Sequence, residues 1–416
     1  MSTEWKDYVK DPRTICKYGV NCYQKNSDHL SKFKHPPHKT KRHKVEIEGH
    51  TVKRPKIVAN DNEEAATSQT EVSGDTVEPS DTASATASPR DALSSTHQHN
   101  LIKLPDNLTY HNNCDENLMR KLFLVDMPGD FYKFFECLQS ENSFETLLST
   151  VNLQLIGPFD LLLGKLPIVD PDLYLIHWRF FFDPPEFQAI LKSKNASQFH
   201  IGYFRDAPDE LPVFVASNDS TKDCHITPIA KNIFGAVYLH LQTEKKKSPF
   251  TAMACQKMMD KVAKWAKTSN YSLEEFTMKN RQPKIVTKTL HGAGIVVPYN
   301  KKTQIGYRKL VETDGKIKSM FAKLESATSQ SEKDKILSEL QPVITYASIA
   351  VDECDFGTGL EIGINLFCSG LPELEPSALS SLVSTYSLLK RDAFSKIIQA
   401  HLKYRRKGAN MSIMEN

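Results

Sequence analysis

The chain has 416 residues, 40% of them hydrophobic, eight cysteines and a formal net charge of +3. That length allows one large or two ordinary domains plus tails, and the modest hydrophobic share leaves part of the chain outside a packed core. An apolar run of about 18 residues is missing, the first residues lack the basic and apolar parts of a secretory signal, and the cysteines are too scattered for a disulfide scaffold. The expected setting is therefore a reducing compartment, with no membrane span. The small net charge conceals an asymmetry: residues 1–56 hold 14 Lys/Arg against 6 Asp/Glu, residues 57–100 hold 1 against 8, and residues 101–416 hold 38 against 36. A basic head, an acidic linker and a nearly neutral body follow one another.

In the basic head, Cys16, Cys22, His29 and His35 fall in the order C-x5-C-x6-H-x5-H. Two thiolates and two imidazoles are the donor set of a closed structural Zn2+ site. A segment this short cannot hold a core, so metal binding would supply its folding energy; the bland alternative is a basic tail with incidental Cys and His. The spacing differs from that of DNA-reading fingers, which open with C-x2–4-C. With Tyr18-Gly19, Cys22-Tyr23, His29 and the stretch from Phe33 to Pro36, residues 1–38 resemble the poly(ADP-ribose)-binding zinc finger. The resemblance implies that Tyr18 and Tyr23 stack on adenine while nearby polar and basic groups hold phosphate. Gln24 stands where that family usually has Arg, a departure that removes a bidentate phosphate contact and implies weaker polymer binding.

Residues 39–105 read as a linker, basic and then acidic. Two basic clusters at 39–44 and 53–56 fit nuclear import or nucleic-acid contact, against the alternative of a solvated loop. Residues 58–100 have no aromatic residue and are rich in Ala, Ser, Thr, Asp and Glu, which predicts a disordered tether.

The body is expected to be α+β, with an α/β half over 106–245 and a mainly helical half over 246–407. Helical spacing covers 117–125 and 130–138, where Phe131, Phe134, Phe135 and Leu138 form a core-facing stripe. Aromatic and β-branched runs at 174–182, 198–204 and 212–216, punctuated by Pro and Asp, predict a β-sheet that includes His177, Trp178 and Arg179. Residues 233–241 extend it or open a helix, and 245–249 read as a joint. A helix over 251–267 shows Met253, Met258, Val262 and Trp265 on one face. Strand-like 284–290 and 295–298 flank the glycine turn 291–294. Helices are then predicted over 315–325, 332–340, 343–351 and 377–402.

The body offers no P-loop, dinucleotide fingerprint or self-contained triad. Asp352, Glu353, Cys354 and Asp355 put three acids and a thiol at a predicted helix end, followed by Gly357 and Gly359, so a flexible turn is expected there. Acids at a helix C-terminus oppose its dipole, which asks for a reason; a solvated acidic loop is the alternative. The acidic setting argues against Cys354 as a nucleophile, and His291 before a glycine turn fits a structural hydrogen-bonder.

Over residues 117–402 the body resembles the histone PARylation factor 1 family. The resemblance rests on long strings: 155–160 (LIGPFD), 177–188 (HWRFFFDPPEFQ), 202–210 (GYFRDAPDE), 286–294 (VTKTLHGAG), 306–308 (GYR) and 352–357 (DECDFG). The attached finger departs from family forms that lack one. The resemblance implies an accessory factor that docks on the catalytic domain of a DNA-break-activated poly(ADP-ribose) polymerase and completes a joint site. That site would modify serine on histones and on the polymerase, in the nucleus at chromatin breaks. Glu353 would be the general base, Asp352 a docking contact, and Arg308 the partner of Glu353, supporting the interface with Tyr307. NAD+ would be bound by the polymerase, not by this chain. The competing readings are a poly(ADP-ribose)-reading chromatin scaffold without a catalytic contribution, and an independent hydrolase using Glu353, Cys354 or His291.

Overall fold

The computed structural model describes residues 10–16, 26–35, 104, 107–111, 116–140, 144–195 and 197–414. Cys22, Tyr18, Tyr23, Gln24, both basic clusters and the acidic linker lie outside the described residues. The chain divides into two compact units, Met1–Thr96 and His97–Asn416.

In the first unit, β1 (Thr14–Ile15) runs parallel to β2 (Phe33–Lys34), with α1 (Ser27–Lys32) between them. The Asn26 side chain caps α1 by accepting from the Asp28 N–H, and the Cys16 N–H donates to Lys34 O at 2.9 Å. These contacts fix where Cys16, His29 and His35 point.

The second unit opens with α2 (Glu116–Phe123), α3 (Gly129–Gln139) and α4 (Phe144–Thr150). The α3 stripe lies inward as expected: Phe131, Phe134, Phe135 and Leu138 are all buried. Burial of each such side chain contributes about 1.5–3 kcal/mol before the entropy of ordering is counted. A five-stranded antiparallel meander follows, β3 (Leu153–Leu155), β4 (Phe187–Ser193), β5 (Phe199–Phe204), β6 (Phe214–Asp219) and β7 (Thr227–Ala230), paired in chain order. Its side chains alternate between faces. Ile201 and Tyr203 enter the main core, whereas Phe187, Phe204 and Phe214 form a second cluster.

The run at 174–182 is not a strand. Between β3 and β4 lie two short helices, α5 (Pro158–Leu162) and α6 (Pro171–Ile176); α6 is started by the Asp170 side chain and Pro171. Beyond α6, His177, Trp178 and Arg179 are buried in a turn, with Trp178 at φ 55°. The strand that pairs β3 with β5 is instead β4, buried along its whole length.

After the sheet come α7 (Ile233–Lys247) and α8 (Pro249–Thr268), packed as a hairpin. Met253 is exposed, so the inward face of α8 is carried by Cys255, Met258, Met259, Val262 and Ala266. The strands expected at 284–290 and 295–298 reduce to a single bridge, Thr287 to Ile295.

The second half holds α9 (Asp314–Ser326), α10 (Gln330–Asp352), α11 (Phe356–Ser369), α12 (Glu375–Leu388) and α13 (Asp392–Lys403). The two helices expected over 332–351 are one, because α10 continues through Pro342. Its start is locked by a capping box between Ser329 and Glu332. The helix expected over 377–402 is two, broken at Lys390, which sits at φ 59°. In place of the flexible turn expected at Gly357 and Gly359 is α11, whose residues from Gly357 to Cys368 are all buried. A Cβ on Gly359 would lie 2.4 Å from Val351 Cγ2 and 2.5 Å from Thr385 Oγ1, so this glycine serves close packing rather than freedom.

The basic tail is structural. Arg405 is buried, stacks 3.9 Å from the Phe181 ring and donates to Phe181 O, Phe367 O and Glu375, each at 3.0 Å.

Candidate functional site

The end of α10 is a Schellman turn: the Asp355 N–H returns to Ala350 O at 2.8 Å and the Cys354 N–H to Val351 O at 2.9 Å. Cys354 occupies the left-handed position, φ 71°, that glycine usually fills, a strain of about 1–2 kcal/mol. The turn leaves Asp352 and Glu353 exposed and folds Asp355 inward, so three neighbouring acids have different surroundings.

The charge that offsets them comes from 47 residues away. Arg308 donates through Nε to Asp355 Oδ2 at 2.6 Å, and through Nη2 to Glu353 Oε2. The Arg308 side chain is 33% exposed, Glu353 53% and Asp355 7%. Thr358 in the first turn of α11 braces the Arg308 backbone, accepting from its N–H at 3.0 Å and donating to its carbonyl at 2.7 Å. Gly306 donates its N–H to Asp355 Oδ1 at 2.8 Å and accepts from the Gly357 N–H at 2.8 Å. Partial burial works against the Arg308 charge, but the hydrogen bonds to Asp355 and then Glu353 outweigh it and hold its pKa above the ordinary arginine value. A pair with one partner half in solvent contributes at most about 1 kcal/mol to stability, so the Glu353 contact is weakly justified by folding alone.

Tyr307 is half-buried and its hydroxyl faces Thr287 and Glu361; burial is the main cause that pushes its pKa up. It braces the loop that carries Arg308. His291 is buried, and its Nδ1 accepts from the Ala293 N–H at 3.0 Å, a structural role. Asp355 and Thr358 were not singled out by sequence reasoning. The acidic string contained Asp355, but nothing local separates a buried acid from its exposed neighbours.

In the first unit, donor atoms of Cys16, His29 and His35 lie within 4.8 Å of one another. Cys16 Sγ is 3.5 Å from His29 Nε2, which is 3.1 Å from His35 Nε2. With Zn–S near 2.3 Å and Zn–N near 2.0–2.1 Å, the edges of a tetrahedral site are about 3.5 Å for S to N and about 3.3 Å for N to N. Both of these edges fit zinc. Cys22, the fourth expected donor, lies outside the described residues.

A finger with zinc-ligand geometry followed by an α+β body that presents a half-exposed glutamate beside an arginine defines the class: a zinc-finger protein with an α+β body. The family model for histone PARylation factor 1 matches residues 115–405, and that for the PBZ domain matches residues 13–38. The chain is 41% identical over 297 residues to histone PARylation factor 1 of Bos taurus, covering 68% of this chain and 84% of that protein. It is 42% identical over 297 residues to the Mus musculus protein (69% and 86%) and 40% over 296 to the Danio rerio protein (69% and 84%). The chain belongs to the histone PARylation factor 1 family and carries a PBZ finger at its N-terminal side.

Proposed function

We propose that this protein docks on the catalytic domain of a DNA-break-activated poly(ADP-ribose) polymerase and lends it Glu353 as a general base for ADP-ribosylation of serine, on histones and on the polymerase. The observation that carries the reading is the placement of Glu353: half-exposed at a strained helix end, held by one guanidinium that a buried acid also grips. A serine hydroxyl barely ionises near neutral pH. A carboxylate aimed at its proton while the bond to nicotinamide breaks contributes roughly 10²–10⁴-fold. The polymerase binds NAD+, and this chain adds the base. Asp352 beside Glu353 is a docking contact. Ile349, one turn earlier and 51% exposed, and Val311, 55% exposed and three residues beyond Arg308, supply apolar surface that a partner would cover.

The finger supports a second, compatible role. Cys16, Cys22, His29 and His35 would hold Zn2+, and Tyr18 and Tyr23 would engage poly(ADP-ribose), keeping the factor on chromatin in the nucleus. Deleting residues 1–60 separates the two. Serine modification in a purified reaction survives if the body carries the chemistry, while recruitment to polymer-rich sites falls. If modification is lost with the finger, the scaffold reading replaces the catalytic one.

A further inference from the structure

We propose that Asp355 is a positioning residue that sets the Glu353 carboxylate by acting through Arg308, an inference that rests on Glu353 being the base. A buried carboxylate is expensive unless paired, and an apolar residue at this turn would pack at lower cost, so the acid needs a use. Both Asp355 oxygens are committed: Oδ1 to the Gly306 N–H at 2.8 Å and Oδ2 to Arg308 Nε at 2.6 Å. Two contacts fix the plane of the carboxylate, and with it the edge-on orientation of the guanidinium. Nε is thereby committed to Asp355, and Nη2 of the same guanidinium donates to Glu353. Thr358 fixes the other end of the same residue by holding the Arg308 backbone. Glu353, by contrast, is a long exposed side chain with several rotamers to lose, and its carboxylate accepts from Arg308. Its aim is therefore inherited from a guanidinium that the interior holds still.

The arrangement also divides the charge. Asp352, Glu353 and Asp355 stand on the turn, and Arg308 faces it from the loop with Tyr346 6.0 Å from the guanidinium. With Asp355 engaging Nε, the Arg308 charge is shared between two carboxylates while Nη2 orients Glu353. The rival role is structural: Asp355 closes the turn through Gly306. An asparagine keeps an acceptor for the Gly306 N–H but cannot accept from Nε while doing so through the same oxygen.

The test uses the full chain, the polymerase, broken DNA, NAD+ and a serine peptide, with initial rate measured against chain concentration. Asp355→Asn should lower the plateau rate about tenfold or more, with a half-saturating concentration and a melting temperature close to the parent's. Asp355→Glu should recover part of that loss. A plateau within twofold of the parent overturns the proposal, as does a loss of docking affinity or melting temperature large enough to account for the lower rate. Thr358→Val is the second variant if Asp355→Asn does not fold. It frees the Arg308 backbone and leaves both carboxylates, so it should give the same split, and an unchanged plateau counts against the proposal. Glu353→Gln runs alongside. If it keeps the parent's plateau, the base reading fails; if it loses the rate and Asp355→Asn does not, only this inference fails.

Discussion

Gly306 is a point where the site can be broken without touching a charged residue. Its φ is +115°, and a Cβ there would lie 2.2 Å from Pro298 O and 3.1 Å from Tyr299 Cα, backbone atoms that cannot swing aside. Gly306→Ala therefore adds a backbone conformation costing about 1–3 kcal/mol to an overlap costing about 1–3 kcal/mol. The combined loss is roughly 2–6 kcal/mol, partly relieved if the 299–308 loop shifts. That shift is itself costly to function, because Gly306 anchors Asp355 and precedes Tyr307 and Arg308. Urea unfolding followed by circular dichroism, with polymerase binding measured on the same samples, would read both effects. The expected outcome is a lower midpoint and weakened docking together. A variant that unfolds at the parent's midpoint and docks normally would refute the reasoning that a rigid loop aims the site.

Two further outcomes follow from other parts of the molecule. Purified chain should carry about one Zn2+, lost on Cys16→Ser, and chelation should unfold the finger while leaving the melting of the body unchanged; retained stoichiometric zinc in Cys16→Ser would contradict the ligand set. The body should lose stability as pH falls below about 6.5. Burial, then the charge of Arg281, depresses the pKa of His291 to about 3, and burial depresses that of His401 in the same direction. The unfolded chain thus binds protons that the folded chain refuses. Stability is complete above the unfolded pKa and declines by up to about 1.4 kcal/mol per pH unit for each such histidine. Urea midpoints at pH 7.5 and 5.5 should show the decline, smaller in His291→Gln; a flat profile in the parent would contradict it.

Elements with one clear period were legible in the sequence, as α3 shows. Others failed for identifiable physical reasons. The aromatic run at 174–182 has strand composition, but Asp170 and Pro171 start a helix that extends into it, and a buried turn then takes His177 and Trp178 into hydrogen bonds with Asp160. β4 was overlooked because Gln188, Lys192 and Ser193 interrupt its apolar pattern, although all seven of its residues are buried. Pro342 read as a boundary, yet a long helix anchored at both ends tolerates one missing N–H. Glycines 357 and 359 read as flexibility and are close-packing contacts. At the site, the acids were visible as a cluster, but their cation lies 45 residues from Glu353 and was reached only through the family strings. The buried role of Asp355 depends on tertiary contacts with Gly306 and Arg308 that no local pattern encodes.

Glu353 carries the account's main claim, since its half-exposed carboxylate at the end of α10 is the group proposed to take the serine proton. Glu353→Gln keeps the shape and the contact distance while removing the charge. Reconstituted with polymerase, broken DNA, NAD+ and a serine peptide, it should still dock but lower the rate of serine ADP-ribosylation by roughly 10²–10⁴-fold. Serine modification at the parent's rate by docked Glu353→Gln would contradict the assignment.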